Sequence, residues 1–356
     1  MQILDSSHDH FHLIDEPGGY EWTYYDGFSA DRQFGFTAIW FRGVPMSPNY
    51  SRAIERKDVV ADPHRWSAFA FHLYVGRKTV ASWLVEGDSG GTDPSRGLRL
   101  GGGGIYPERA ADGELAARIS IDGRSPILGR RVEGNITLRF PPVSFAPIAV
   151  GEVDRSITDH YWVPAGPAGT FDAALDLSGR LGKSRRLRFS GDAYHDRNFG
   201  FSPLMGHRVE WVWGRLHSRD QTLIFFSVAP PDGVTDDLEI GRALLFRDGV
   251  LHRHAGDLRL LVDRAPHWAT LPRPSAIRGM ASAEGADLRL QVDRPHLLES
   301  GPFYHRMLAS IDADWGGDRL QGEGTIEYFR PDRLGVRIFR PFVRFRVRRR
   351  DPVSER

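Results

Sequence analysis

Residues 68–75 read Ala68-Phe69-Ala70-Phe71-His72-Leu73-Tyr74-Val75. The run is rich in aromatic and branched side chains and has the two-residue period of a strand, whose successive side chains face opposite ways. Working outward, the same signal returns at Thr37–Phe41, Asn135–Phe140, Leu187–Ser190 and Thr222–Val228, and Arg344–Arg348 alternates strictly. Turn signals fall between these runs: Glu86-Gly87-Asp88, Asp122-Gly123, Pro231-Asp232-Gly233, Asp248-Gly249 and Gly316-Gly317-Asp318. Few segments carry a 3.6-residue period. Many short strands joined by polar turns predict an all-β protein built of sandwiches or barrels. The glycine run Gly101–Gly104 reads as a flexible turn, because a phosphate loop needs a following Lys-Ser/Thr and a helix.

At 356 residues the chain predicts two domains. Pro164-Ala165-Gly166-Pro167-Ala168-Gly169 reads as a linker or a long hairpin loop. The division is expected between it and Gly191, giving domains 1–185 and 186–356. The composition, 40% hydrophobic and 26% charged, excludes wholesale disorder. No apolar run approaches the roughly 20 residues of a membrane span. The opening residues lack a basic start and an apolar core, so a cytoplasmic protein is expected. With no cysteine, disulfides, thiolate metal sites and cysteine nucleophiles are excluded. A net charge of +1, from 47 basic and 46 acidic residues, argues against a nucleic-acid partner. Twenty-one Phe, ten Tyr and nine Trp could line a large apolar pocket.

Four groupings could carry chemistry. The densest is Tyr194-His195-Asp196-Arg197-Asn198-Phe199-Gly200, followed by Trp211-Val212-Trp213-Gly214-Arg215. In extended backbone Tyr194 and Asp196 share a face, as do Trp211 and Trp213, and as do His160 and Trp162 upstream. An acid buried among aromatic rings is held protonated, and the rings can stabilise a cation, a combination suited to protonating an alkene. The competing reading is a turn aspartate beside core tryptophans. In Tyr20-Glu21-Trp22-Thr23-Tyr24-Tyr25-Asp26, alternation sends Glu21, Thr23 and Tyr25 one way and Trp22, Tyr24 and Asp26 the other. That strand could present an acid to a cavity, or be an edge strand with a salt bridge. His8-Asp9-His10-Phe11-His12 has a spacing that could bind zinc, but no completing ligands are evident, and no metal is expected. Asn135-Ile136-Thr137 matches a glycosylation sequon that has little meaning without a secretory signal. The arginines between Arg337 and Arg350 form either a surface for anionic lipid or a strand with one solvated basic face.

Several of these pieces, in order from about residue 20 to 350, resemble the hydroxyneurosporene synthase/AttH-like group, which includes bacterial acyclic carotenoid 1,2-hydratases. Glu21–Asp26 is similar to E-W-W-Y-F-D. Gly35–Phe41 with Ser47-Pro48-Asn49-Tyr50 resembles a segment ending in S-P-Y-Y. Phe71–Gly76 and Ala81–Gly87 resemble a strand pair ending in T-E-R-G. Gly191–Gly200 resembles G-x-G-Y-x-D-x-N-x-G, and Trp211–Arg215 resembles W-x-W-x-R. Pro302–Arg306 resembles P-F-Y-x-R, and Arg340–Arg350 the closing basic strand.

The resemblance implies two lipocalin-like (calycin-type) β-barrel or sandwich domains packed around an apolar cavity. It implies a hydro-lyase needing no cofactor. Asp196 would protonate a terminal C=C of an acyclic carotenoid or other isoprenoid, Trp162 and Tyr194 would stabilise the tertiary cation, and His160 would position or deprotonate the water. Glu21, Trp22, Tyr25, Trp211, Trp213 and Tyr304, from the matched motifs, are expected to line the substrate. The chain departs from the hydratases at Ser202-Pro203-Leu204-Met205, where they carry E-P-L-E, and at Thr23, where they carry a second tryptophan. Hydration is the leading expectation. A proton-initiated or pericyclic cyclase, and a non-catalytic carrier of apolar ligands, are the alternatives. A membrane-soluble substrate would bring the protein to the inner membrane surface as a peripheral partner. The sequence leaves the oligomeric state open, and whether Glu21 or Asp196 is the acid.

Overall fold

The computed structural model describes residues 1–57, 62–88, 98–109, 114–150, 159–179, 184–204, 210–229, 240–265, 271–283, 285–331, 333 and 347–350. The protein is nearly all β and divides into two compact units. One comprises Leu4–Val143, His160–Leu204 and the C-terminal segment; the other comprises Met1–Ile3, Ser144–Asp159 and Met205–Phe339.

Strands are numbered in chain order. The second unit holds the short pair β1 (Gln2–Ile3) and β10 (Ile148–Ala149). Its sheet comprises β13 (Glu210–Ser218), β14 (Gln221–Ala229), β15 (Ile240–Arg247), β16 (Val250–Ala255), β17 (Arg259–Ala265), β18 (Arg273–Ala283), β19 (Ala286–Ser300), β20 (Tyr304–Trp315) and β21 (Asp318–Phe329). All neighbours are antiparallel, in the order β16-β15-β14-β13-β21-β20-β19-β18-β17. Its core takes alternate residues such as Val212 and Leu216 of β13 and Met307, Ala309 and Ile311 of β20.

In the first unit the strands are β2 (Tyr20–Ser29), β3 (Phe34–Arg42), β4 (Ser67–Val75), β5 (Lys78–Gly87), β6 (Leu98–Leu100), β7 (Gly103–Arg109), β8 (Leu115–Arg124), β9 (Arg131–Phe140), β11 (His160–Ser178) and β12 (Ser184–Gly200). They pair antiparallel in the order β5-β4-β3-β2-β12-β11-β9-β8-β7-β6, and β22 (Val347–Arg350) adds to β5 in parallel. The sheet curls into a nearly closed barrel. Its lumen is filled: Phe36, Ala38 and Trp40 of β3, Phe69, Phe71 and Leu73 of β4, and Ile136, Leu138 and Phe140 of β9 all point inward at every second position. Gly103 on β7 lies where a Cβ would come within 2.2 Å of the Phe69 ring, so glycine there lets the two ends of the sheet approach.

Two expectations are corrected. Pro164–Gly169 is no linker; it lies inside β11, which continues to Ser178. The pairing of β11 with β12 shifts register between Val163 and Gly166 and again between Gly166 and Gly169, so bulges absorb the prolines. A Cβ on Gly166 or Gly169 would meet the Phe140 ring at 2.5 or 2.2 Å. The expected boundary at 185/186 falls instead near Leu204, because β12 runs unbroken between β11 and β2.

The N-terminal segment seals the first unit's core. Leu4 and Ile14 are buried in it. Between them, Asp9 accepts from Arg197 Nε at 2.9 Å and meets His195 Nε2 at 2.9 Å. Arg197 also donates to Glu21 Oε1 at 3.2 Å, and His12 Nδ1 meets that same oxygen at 3.0 Å. Arg42 lies 3.7 Å from Glu21 Oε2. Phe11 lies against the guanidinium groups of Arg197 and Arg42. Burial alone would push the Asp9 carboxyl up, but the charges of His195 and Arg197 hold it well below the usual carboxylate range. Among the described residues no helix is long and apolar enough to cross a membrane. Arg337, Arg340, Arg344 and Arg346 lie outside the described residues.

Candidate active site

The strand period decides which side chains meet. On β12, Ala193 and Phe199 join the barrel core, so Tyr194, Asp196 and Asn198 face outward. On β2, Tyr24 lies directly opposite Asp196, Asp26 opposite Tyr194, and Trp22 opposite Asn198. On β11, Trp162 lies opposite Asn198 and His160 opposite Gly200. Three strands thus deliver one cluster to the outer face of the barrel.

Asp196 is its centre and is 6% exposed. Its Oδ2 accepts from Trp162 Nε1 at 3.0 Å and from the Tyr194 hydroxyl at 2.9 Å. Its Oδ1 accepts from Asn198 Nδ2 at 3.1 Å. Three donors aimed at one carboxyl stabilise its charged form, so the arrangement is suited to hold charge that develops on Asp196.

Beside it, His160 Nδ1 and the Tyr20 hydroxyl share a hydrogen bond of 2.7 Å. The Tyr20 ring stacks on half-buried Trp22 at 5.4 Å, and Trp22 lies 6.0 Å from the His160 ring. A Cβ on Gly200 would stand 2.7 Å from the Tyr20 hydroxyl, so this approach requires glycine. From Trp22 the outer face continues as an apolar strip of Phe41, Val44, Ala68 and Ala70, flanked by Ile39, Met46 and Leu84. Four strand spacings separate β12 from β5, about 19 Å.

The expected catalytic residues Asp196, Tyr194, His160 and Trp162 stand together, with Trp22 beside them. Glu21 and Tyr25 do not. Both face the barrel core, Glu21 in the ion network and Tyr25 stacked on His195 at 4.1 Å. Their odd positions on β2 oppose those of Trp22 and Tyr24. Trp211, Trp213 and Tyr304 belong to the second unit. There they share the sheet face opposite its core, with Phe329 opposite both Trp211 and Tyr304. The histidine-rich segment is engaged through Asp9 and His12 in the ion network, and among the described residues no cluster suited to a metal ion occurs. Asn198, Tyr20 and Tyr24 were not expected as site residues. Their signal was available, since each lies an even number of positions from a chosen residue on its own strand.

The sequence profile of the carotenoid hydratase CrtC family matches residues 108–356. This chain belongs to the carotenoid hydratase family. The part matched to the carotenoid hydratases contains His160, Trp162, Tyr194, Asp196 and Asn198; β2 precedes it and is brought alongside by pairing with β12. Over 364 aligned positions the chain is 29% identical to a hydroxyneurosporene dehydrogenase of Chlorobaculum tepidum, covering 96% of this chain and 91% of that one. It is 31% identical over 226 positions to an acyclic carotenoid 1,2-hydratase of Rubrivivax gelatinosus, covering 60% of this chain and 48% of that one. The crystal structure of CghA with Sch210972 superimposes with a TM-score of 0.59 at 14% identity, covering 89% of each chain, which shows the shared fold.

Proposed function

We propose that this protein hydrates a terminal C=C of an acyclic carotenoid or a related isoprenoid, with Asp196 as the acid. The observation that carries the reading is the buried Asp196 carboxyl, held by Trp162, Tyr194 and Asn198 on an aromatic face that continues into an apolar strip. The polyene lies along the strip with its end at Asp196. The carboxyl proton of Asp196 passes to the alkene CH carbon, leaving a tertiary cation at the dimethyl carbon. The rings of Trp162, Tyr194 and Trp22 stabilise that cation, at about 0.5–2 kcal/mol per ring. Water adds its oxygen to the cationic carbon. His160, steadied by Tyr20, takes the water proton, which returns to Asp196 through solvent. The three hydrogen bonds on Asp196 strengthen as it becomes charged, so they favour the transition state over the bound alkene.

Incubating the purified full-length protein with lycopene or neurosporene tests this. The expected product is one water heavier. Asp196→Asn keeps the shape and removes the transferable proton, and is expected to lower the rate about a hundredfold or more. An unaffected rate in that variant would refute the assignment.

A further inference from the structure

We propose that Tyr24 is a further catalytic ring of this site and that Asp26 is its positioning residue; the proposal deepens the reading above and rests on it for the cation that the ring meets. The observation is a duplicated unit. On β12 the Tyr194 hydroxyl donates to Asp196 Oδ2, two residues along its own strand, at 2.9 Å. On β2 the Tyr24 hydroxyl donates to Asp26 Oδ2, again two residues along, at 2.8 Å. The strands are antiparallel, and each tyrosine lies directly across from the other unit's aspartate. Four adjacent positions on one sheet face thus form a checkerboard of two phenols and two carboxyls. All four residues are buried, Tyr24 and Asp196 at 6% exposure and Tyr194 and Asp26 at essentially none. The two tyrosine rings meet edge-on, with centroids 6.0 Å apart.

The two units differ in what their carboxyls do. Asp196 gives up a proton, so the load on the Tyr194 hydroxyl changes during the reaction. Asp26 lies one step further from Trp22 and the apolar strip, opposite Thr37 of β3, whose hydroxyl shares a 3.1 Å hydrogen bond with Tyr74. It is fully buried and accepts from the Tyr24 hydroxyl, which is the contact through which it would act on this site. A phenol that donates to a carboxyl gains electron density in its ring, and an electron-rich ring holds a cation better. Directly opposed side chains on neighbouring strands have Cβ atoms about 4.5–5.5 Å apart, so the Tyr24 ring stands within reach of a cation formed at Asp196. The hydrogen bond to Asp26 also fixes the ring, so no reorganisation is needed when charge develops. A buried tyrosine–aspartate bond that merely joined neighbouring residues would not be expected to discriminate a charged ligand from a neutral one.

The experiment uses the full-length protein and two soluble probes. One is a long-chain alkyldimethylamine, protonated at neutral pH, whose charge sits where the cation would. The other is the matching dimethylcarbinol, uncharged and product-like. Affinities are read by quenching of tryptophan fluorescence. Wild type is expected to favour the ammonium. Tyr24→Phe and Asp26→Asn are each expected to reduce that preference about tenfold while leaving the affinity for the alcohol unchanged. Ring-fluorinated tyrosines placed at position 24 are expected to lower it stepwise. In turnover of lycopene the same variants are expected to lower kcat about tenfold with KM unchanged, equivalent to about 1.4 kcal/mol at the transition state. An ammonium preference that stays put in both variants would overturn the proposal, as would an equal loss for ammonium and alcohol. If wild type leaves lycopene unchanged while the preference still depends on Tyr24, the hydration reading fails and the ring assignment stands. If lycopene is hydrated and the preference does not move, only the ring assignment fails.

Discussion

Glu21 and Asp196 are both buried acids on adjacent strands, and replacing each separates a structural role from a chemical one. Glu21 is fully buried, facing the barrel core rather than the site. Its Oε1 accepts from Arg197 Nη1 at 3.2 Å and from the His12 backbone N–H at 3.2 Å, and meets His12 Nδ1 at 3.0 Å. Arg42 stands 3.7 Å from the other oxygen. Removing one partner of a buried ion pair costs about 3–5 kcal/mol, because the remaining charge is left in a low dielectric. Glu21→Gln keeps an acceptor for the N–H donors, and Arg197 keeps Asp9, which places the cost at the low end, about 3 kcal/mol. For a unit of this size each kcal/mol lowers the unfolding midpoint by about 2–4 °C. The first unit's transition, followed by circular dichroism, is therefore expected to fall by about 6–12 °C. Hydration by the folded variant at 25 °C is expected to stay within about twofold of wild type, since the Glu21 side chain faces the opposite side of β2 from the Asp196 cluster. An unmoved midpoint with collapsed turnover would refute this reasoning and make Glu21 the acid.

Three further outcomes follow from the same contacts. Because the proton affinity of Asp9 is depressed in the folded state, its stabilisation is full above the unfolded carboxyl's value of 3.8 and is lost as the pH falls below it toward the folded value; urea midpoints of wild type and Asp9→Asn should be well separated at neutral pH and converge below about pH 4. Asn198→Ala removes a donor to Asp196 Oδ1, and is expected to lower kcat about tenfold, the effect of one charge-assisted hydrogen bond, with little change in the thermal midpoint. Gly200→Ala places a methyl group 2.7 Å from the Tyr20 hydroxyl, displacing it from His160; steady-state kinetics should show a fall in kcat about as large as that of His160→Ala, and equal activity to wild type would remove Tyr20 from the account.

The strands and their facing were legible because the two-residue period is local. It put Tyr194 and Asp196 on one face and separated Glu21 and Tyr25 from Trp22. Expecting Glu21 and Tyr25 at the substrate followed the motif and disregarded that separation. Pro164–Gly169 misled because proline and glycine mark turns and bulges alike, and only the pairing partner decides between them. The β2–β12 pairing brings Asp26 opposite Tyr194 across 168 positions of sequence, and no local pattern announces such a contact. Nor does one announce that Asp9 serves Arg197 and His195 rather than a metal ion. Asp196 and its same-strand neighbours Tyr194 and Asn198 could thus be read from one strand, whereas the Trp162 contact, the second Tyr–Asp unit and the ion network depended on long-range register.

The most direct measurement is the reaction of lycopene with the purified protein in H₂¹⁸O, with Asp196→Asn run beside it. The account predicts a tertiary alcohol one water heavier, carrying ¹⁸O, formed by wild type and absent from the variant. An isomer of unchanged mass, or a labelled alcohol formed equally well by Asp196→Asn, would contradict it.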